Sequence, residues 1–343
     1  MAKNQILQKF IDYSPAQREQ LNQKDYEEIF FELTEESTSE ETIIQFLEIS
    51  SQTVPTKDAL VGAAKALQSK MVKINLPNES IIVDTCGTGG SGLTTFNTST
   101  LSALVLATFK LRVAKHGNRA VSGKCGSADL LESLGIKIDL EPTQSTDQLT
   151  NDYFTFLFAP NYHPAVKKVA LARKKLGKKT IFNYLGPLLN PAKPTVQIIG
   201  LSNRALIKVY AEAAMELGIN RGLIVTGDDG LDEITVTSNS FGYMIADGIL
   251  NEVKINPENY FKVLHTTDSI KGGNSIAESK DLFNRVLKFD HEATAIIDLV
   301  SINAGYMLYL TRTTNSPKEG IDEIKARLKS DEVIKLINKL SQY

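Results

Sequence analysis

Apolar positions change their period near residue 81. Before it, Ile6, Phe10 and Ile11 share one helical face, and Tyr26, Ile29, Phe30 and Leu33 share another. Ser37 to Ser39 offers a cap for a helix burying Ile43, Ile44, Phe46 and Leu47, and Val61, Ala64 and Leu67 mark a fourth helix. Residues 3–70 therefore read as helical throughout, and Lys73–Ser80, containing Pro77, reads as a linker. From Ile81 onward short apolar runs alternate with helices. The runs are Ile81–Asp84, Leu111–Lys115, Phe154–Phe158, Val196–Gly200 and Gly222–Thr226. That alternation predicts an α/β sheet, mainly parallel where helices cross over. Phe241–Asp247 and Leu250–Val253 read as extra strands, with helices at Ile276–Leu287, Glu292–Thr311 and Ser316–Leu340. The expected fold class is α/β. A small all-helical N-terminal domain over 1–72 joins a large α/β domain over 73–343 with a mainly parallel central sheet, and the ligand sits at their junction.

Composition adds mostly exclusions. With 343 residues the chain can bury a large core, and its net charge of -2 gives no general attraction to nucleic acid or membrane. Cys86 and Cys125 are the only cysteines, so neither a disulfide framework nor a zinc site is expected. The N-terminal MAKNQILQKFIDYS has no apolar core of a signal peptide, and the apolar stretch Leu101–Phe109 is too short to span a bilayer. A reduced, cytoplasmic setting is the natural expectation.

Chemistry concentrates in four segments. Residues 84–100, DTCGTGGSGLTTFNTST, follow the apolar Ile81-Ile82-Val83 and place four glycines within 87–92 before a hydroxyl-rich helix start. Backbone N–H groups so arranged form a cradle for phosphate. Gly87, Gly89 and Gly92 fit the dinucleotide fingerprint, but that site wants an acidic residue at the end of the second strand, where this chain has Lys115-His116. Gly123-Lys124 is followed by Cys125, so the Walker pattern fails too. The second segment, Lys115–Gly135, repeats strand, polar loop and helix, the helix starting near Ser127. Lys115, Arg119 and Lys124 supply charge, and Asn118 and Ser122 supply directional bonds. In the third, His163–Asn190, composition alone makes Arg173 a surface charge. In the fourth, GDDGLDE at 227–233, Asp232 and Glu233 are candidate oxygen ligands for Mg²⁺, while Asp228-Asp229 reads as an ordinary solvated turn.

In this order the four segments resemble the anthranilate phosphoribosyltransferase family, of the nucleoside phosphorylase-like transferases, from about residue 3 to the C-terminus. The resemblance implies transfer of ribose 5-phosphate from phosphoribosyl pyrophosphate (PRPP) to the amine of anthranilate in tryptophan biosynthesis, with Mg²⁺, two ions being expected. It implies a homodimer paired through the helical domains, which helices from about 163–190 would join. For PRPP it implies Gly87, Gly90, Ser91, Thr95, Asn97, Thr98, Ser99 and Thr100. From the second segment it adds Lys115, His116, Gly117, Asn118, Arg119, Ala120, Val121, Ser122, Gly123 and Ser127. Gly87, Asn118, His116, His163 and Arg173 would meet anthranilate, Arg173 through the carboxylate, with Tyr162 and Pro187 along its access route. Ser99, Asp232 and Glu233 would hold metal. No nucleophilic side chain is implied.

Three positions depart from the family pattern: Ser91 stands where aspartate is usual, and Gly123 and Cys125 where serines are. Losing a carboxylate from the turn predicts weaker or metal-altered PRPP binding, and Cys125 reads as a small buried substitute. Other readings stay open: a transferase for another aromatic amine, a pyrimidine-nucleoside phosphorylase of the same fold, or a non-catalytic nucleic-acid-binding relative. The last should be strongly basic and lack the Asp232-Glu233 pair.

Overall fold

The structure is a computed structural model that describes residues 5–74, 76, 81–120 and 124–343. The N-terminal region forms helices Gln5–Asp12, Pro15–Arg18, Gln23–Leu33, Glu40–Ser50 and Lys57–Lys70. Four of these begin at a polar cap, where Ser14, Asn22, Ser39 or Thr56 accepts a backbone N–H left open by the first turn. Ile29, Phe30, Leu33, Ile43, Phe46 and Leu47 are buried together, matching the helical periodicity. Of the expected linker, Asn75 and residues 77–80 lie outside the described residues.

Seven strands form one sheet: β1 Ile82–Gly87, β2 Arg112–Gly117, β3 Phe154–Phe158, β4 Val196–Gly200, β5 Arg221–Gly227, β6 Ser240–Ala246 and β7 Ile249–Ile255. Their order is β3-β2-β1-β4-β5-β6-β7. β3, β2, β1, β4 and β5 run parallel, and β6 and β7 complete the sheet antiparallel. β2 and β3 build outward on one side of β1, and β4 and β5 build on the other. The order therefore reverses between β1 and β4, where an open α/β sheet leaves a crevice beyond its carboxyl ends.

One face of the sheet carries the helices Thr98–Ala107, Thr294–Leu310 and Pro317–Leu328 over a core including Leu104, Leu223, Val225 and Leu299. The other face packs Ile199, Ile224 and Ile245 against Tyr210 and Ala214, in a cluster continuous with the N-terminal helices. Among the described residues only His291–Leu310 is long and apolar enough to cross a membrane, but 89% of its window is buried, as suits a core helix.

The expected single helix Ser316–Leu340 is two helices, Pro317–Leu328 and Glu332–Leu340. Ser330 marks the break. Its hydroxyl donates to the Arg327 carbonyl at 2.8 Å and accepts from Glu332 N–H at 3.4 Å. Such local bonds compete with the helical ladder.

Candidate active site

The carboxyl ends of β1, β2, β4 and β5 each finish in glycine: Gly87, Gly117, Gly200 and Gly227. Two of these sit directly under the acidic loop. A Cβ on Gly87 would overlap the Asp232 carboxylate, and one on Gly200 would overlap the Asp232 carbonyl. Beyond β1, Gly89, Gly90 and Gly92 have φ of +70°, +83° and +76°, a region that side-chain-bearing residues rarely adopt. The turn folds back over the acidic loop: Gly89 N–H donates to Asp232 Oδ2 at 2.7 Å, while Ser91 Oγ accepts from Leu93 N–H at 3.3 Å within the turn. Lys179 Nζ donates to the Gly90 carbonyl at 2.8 Å.

Thr98–Ala107 begins beside this turn. Thr85, Thr98, Ser99, Ser102, Asp232, Glu233 and Asn303 line one cavity below it. Lys115 is buried at the end of β2, its Nζ donating to the Thr85 carbonyl at 2.9 Å and to Ser99 Oγ at 3.1 Å. Burial pushes its pKa down, against the pull of Asp84, Cys86 and Glu233. Asp84 Oδ2 accepts from Asn190 Nδ2 at 2.9 Å and Gln197 Nε2 at 3.3 Å, and burial raises its pKa. Glu233 is pushed up to about 8, by burial first and by the neighbouring Asp232 second, against the opposing pull of the Thr98 hydroxyl and Lys115. Its Oε2 is buried with no partner. A buried carboxylate oxygen without a donor fits a cation, so Asp232, Glu233 and Ser99 suit a hard divalent ion completed by phosphate or water. Among the described residues there is no cluster of three or more His, Cys, Asp or Glu for an all-protein metal cage.

The second loop separates into parts. Asn118 is exposed, and its carbonyl accepts from Ala128 N–H at 3.3 Å and Ser127 Oγ at 3.2 Å. Arg119 does not present a free cation: it forms a fork to Glu132 and reaches Asp129 Oδ1 at 3.1 Å. Asp129 Oδ2 accepts from Ala120 N–H at 3.0 Å and Gly126 N–H at 2.9 Å, joining the two sides of the loop. Val121, Ser122 and Gly123 lie outside the described residues. Cys125 is half-buried and burial raises its pKa. Asn97 donates to its carbonyl at 3.1 Å.

In the third segment, Arg173 is half-buried rather than a surface charge. It lies over the Phe182 ring at 5.6 Å and is 3.4 Å from Asn183 Oδ1. Burial lowers its pKa. Among the described residues no carboxylate pairs with it, which leaves its guanidinium available. His116 and His163 meet Nε2 to Nε2 at 3.1 Å. Burial holds both neutral, at about 3 and about 4. Tyr162 instead turns into the core at 1% exposure, its hydroxyl 2.9 Å from Ser145 Oγ. Pro187 is buried and its carbonyl accepts from Gln197 Nε2 at 3.1 Å. Thr95 pairs with Lys271, and Thr100 is buried with its hydroxyl unpartnered. Nor is Asp229 a solvated turn residue: it accepts from Leu231 N–H at 3.0 Å and Thr235 Oγ1 at 2.7 Å.

The profile of the glycosyl transferase family, a/b domain, matches residues 79–333. The anthranilate phosphoribosyltransferase of Clostridium beijerinckii is 42% identical over 286 residues, 83% of this chain and 84% of its own. That of Persephonella marina is 38% identical over 291 residues, 83% of this chain and 84% of its own. The chain belongs to the anthranilate phosphoribosyltransferase family. The crystal structure of the Thermus thermophilus member superposes with a TM-score of 0.89 at 31% identity, covering 98% of both chains. The Saccharomyces cerevisiae enzyme, solved in complex with PRPP and Mg, shares the fold at 24% identity and a TM-score of 0.87, covering 98% of this chain and 97% of its own.

Three residues of this site carry no motif signal in the sequence: Asp84, Lys179 and Asn303. Asp84 lies in the glycine segment but reads as a strand residue. Lys179 and Asn303 reach the site across 89 and 69 positions respectively.

Proposed function

We propose that the protein transfers the 5-phosphoribosyl group from PRPP to the amine of anthranilate, releasing pyrophosphate, as a step of tryptophan biosynthesis. One observation carries the reading. At the β1/β4 reversal a glycine turn, a buried lysine and two adjacent carboxylates meet, and the unpaired Arg173 provides for a carboxylate-bearing acceptor. The relatives named above support it, as does the yeast protein solved with PRPP and Mg.

PRPP is placed against Gly87, Gly90, Ser91, Thr95, Asn97–Thr100 and Lys115–Ala120, with Ser127 nearby. Gly87, Asn118, Arg173, His116 and His163 face anthranilate. Asp232, Glu233 and Ser99 would hold Mg²⁺, as two ions, and the metal would offset charge developing on the leaving pyrophosphate. Lys115 and the turn's N–H groups add fixed positive potential where that charge grows. The arylamine is already a neutral nucleophile, and the neutral His116–His163 pair brings no cation beside it. Arg173 orients the acceptor by its carboxylate, so positioning supplies much of the rate. Arg119 acts here through its backbone, its side chain being held by Glu132 and Asp129. The reading includes a helical domain over 1–72 with helices of 163–190, pairing as a homodimer through that domain, in the cytoplasm.

The test mixes protein, Mg²⁺, PRPP and anthranilate and follows anthranilate fluorescence, with phosphate plus thymidine or uridine in parallel. Loss of fluorescence is expected. No loss in the first mixture with cleavage in the second assigns the protein to nucleoside phosphorolysis instead.

A further inference from the structure

Glu233 lies between two anchored neighbours. On its N-terminal side Asp232 is tied to the glycine turn by Gly89 N–H. On its C-terminal side Ile234, fully buried, is tied to the core helix Thr294–Leu310 by a single side chain, Asn303. Asn303 is itself buried at 6% exposure. Its Oδ1 accepts from Ile234 N–H at 3.0 Å, and its Nδ2 donates to the Ile234 carbonyl at 2.8 Å and the Leu299 carbonyl at 2.9 Å. Both polar groups of one buried peptide position are thus answered by one amide, and the third bond fixes which way that amide faces. Asn303 also lines the cavity that holds Glu233 and Ser99. With the Gly89 bond on the other side, the clamp restrains the backbone flanking Glu233, whose Oε2 is buried without a partner.

We propose that Asn303 is a positioning residue that sets Asp232 and Glu233 in place for a divalent cation. The proposal rests on the reading of Asp232 and Glu233 as metal ligands given above. Both amide atoms of Asn303 are committed to backbone groups, so it acts by fixing the backbone that carries the ligands. Groups that orient metal ligands typically cost ten- to a hundredfold in metal affinity when removed. An aliphatic residue at 303 would leave the Ile234 N–H and carbonyl buried without partners, and the acidic loop would shift to find water or other bonds.

The test measures Mn²⁺ binding in the presence of PRPP by electron paramagnetic resonance, alongside steady-state kinetics, for wild type, Asn303→Ala, Asn303→Asp and Leu308→Ala. Leu308 is fully buried on the same helix and serves as a control for destabilisation alone. We expect Asn303→Ala to weaken Mn²⁺ binding at least tenfold, with anthranilate KM within twofold once metal and PRPP saturate. Asn303→Asp, which keeps the acceptor for Ile234 N–H and loses the donor, should fall between; it decides the matter if the alanine variant does not fold. Leu308→Ala should bind Mn²⁺ like wild type. Unchanged binding in the Asn303 variants, or equal weakening in Leu308→Ala, overturns the proposal. Wild-type protein that binds no Mn²⁺ with PRPP overturns the functional reading, and this proposal with it.

Discussion

Glu233→Gln should stabilise the metal-free protein at alkaline pH while weakening its response to metal. The folded protein holds Glu233 protonated to about 8, against an ordinary value of 4.5. Below the lower value both folded and unfolded chains carry the proton. Between the two values the unfolded chain has released it and the folded chain has not. This group's contribution is therefore fully present below pH 4.5 and is lost as pH rises through about 8. At about 1.36 kcal/mol per pH unit, the span from 4.5 to about 8 sets an upper limit of about 5 kcal/mol. Water reaching the ionised group reduces this, and we expect roughly 2 kcal/mol or more. Glutamine mimics the protonated carboxyl and removes the titration. Urea unfolding in EDTA, from pH 4.5 to 9, measures the effect: the difference in stability between variant and wild type should open with pH up to about 8 and then level off. Added Mg²⁺ with PRPP should then raise wild-type stability by more than it raises that of the variant. Parallel stability curves for the two proteins across the range would refute the argument.

Arg173→Ala should raise anthranilate KM by about tenfold or more, as for loss of a charged hydrogen bond, with PRPP affinity little changed; equal loss for both substrates would make Arg173 a structural residue. Ser91→Asp restores a carboxylate to the glycine turn, and at limiting Mg²⁺ should tighten apparent PRPP affinity threefold or more. An unchanged affinity at all Mg²⁺ levels would count against it. His116 and His163 have folded pKa values depressed to about 3 and about 4 from 6.5. Their contribution is present above pH 6.5 and drains away as pH falls toward those values, so replacing both with glutamine should flatten the acid limb of the stability curve. An acid limb equally steep in the double variant would show that other groups dominate it.

The sheet was legible because its signal is local. Each parallel strand is a short apolar run bounded by turn residues, and the observed ends fall within a few positions of the runs. The glycine turn and the Asp232-Glu233 pair were legible as motifs. What escaped depends on distant partners. Arg119 looks like a phosphate ligand until Glu132 comes round beside it on the next helix. Arg173 looks exposed among lysines until Phe182 and Asn183 fold against it. Asp229 looks solvated until Thr235 and Thr237 close over it. Asn303 sits in an apolar helix as a lone polar residue, and only the tertiary fold supplies Ile234 as its partner.

The glycine floor under Asp232 has a further consequence. At Gly87 and Gly200 the acidic loop rests on main chain, and Thr88 N–H donates to the Gly200 carbonyl at 2.9 Å across the same seam. Distances there follow from bond lengths and peptide planes, which warming hardly alters, rather than from side chains free to change rotamer. Heat should therefore loosen Arg173, a long side chain on the helix Lys167–Leu176, before it widens the glycine seam. As temperature rises toward unfolding, the protein should lose its grip on the aromatic acid while still holding the sugar phosphate.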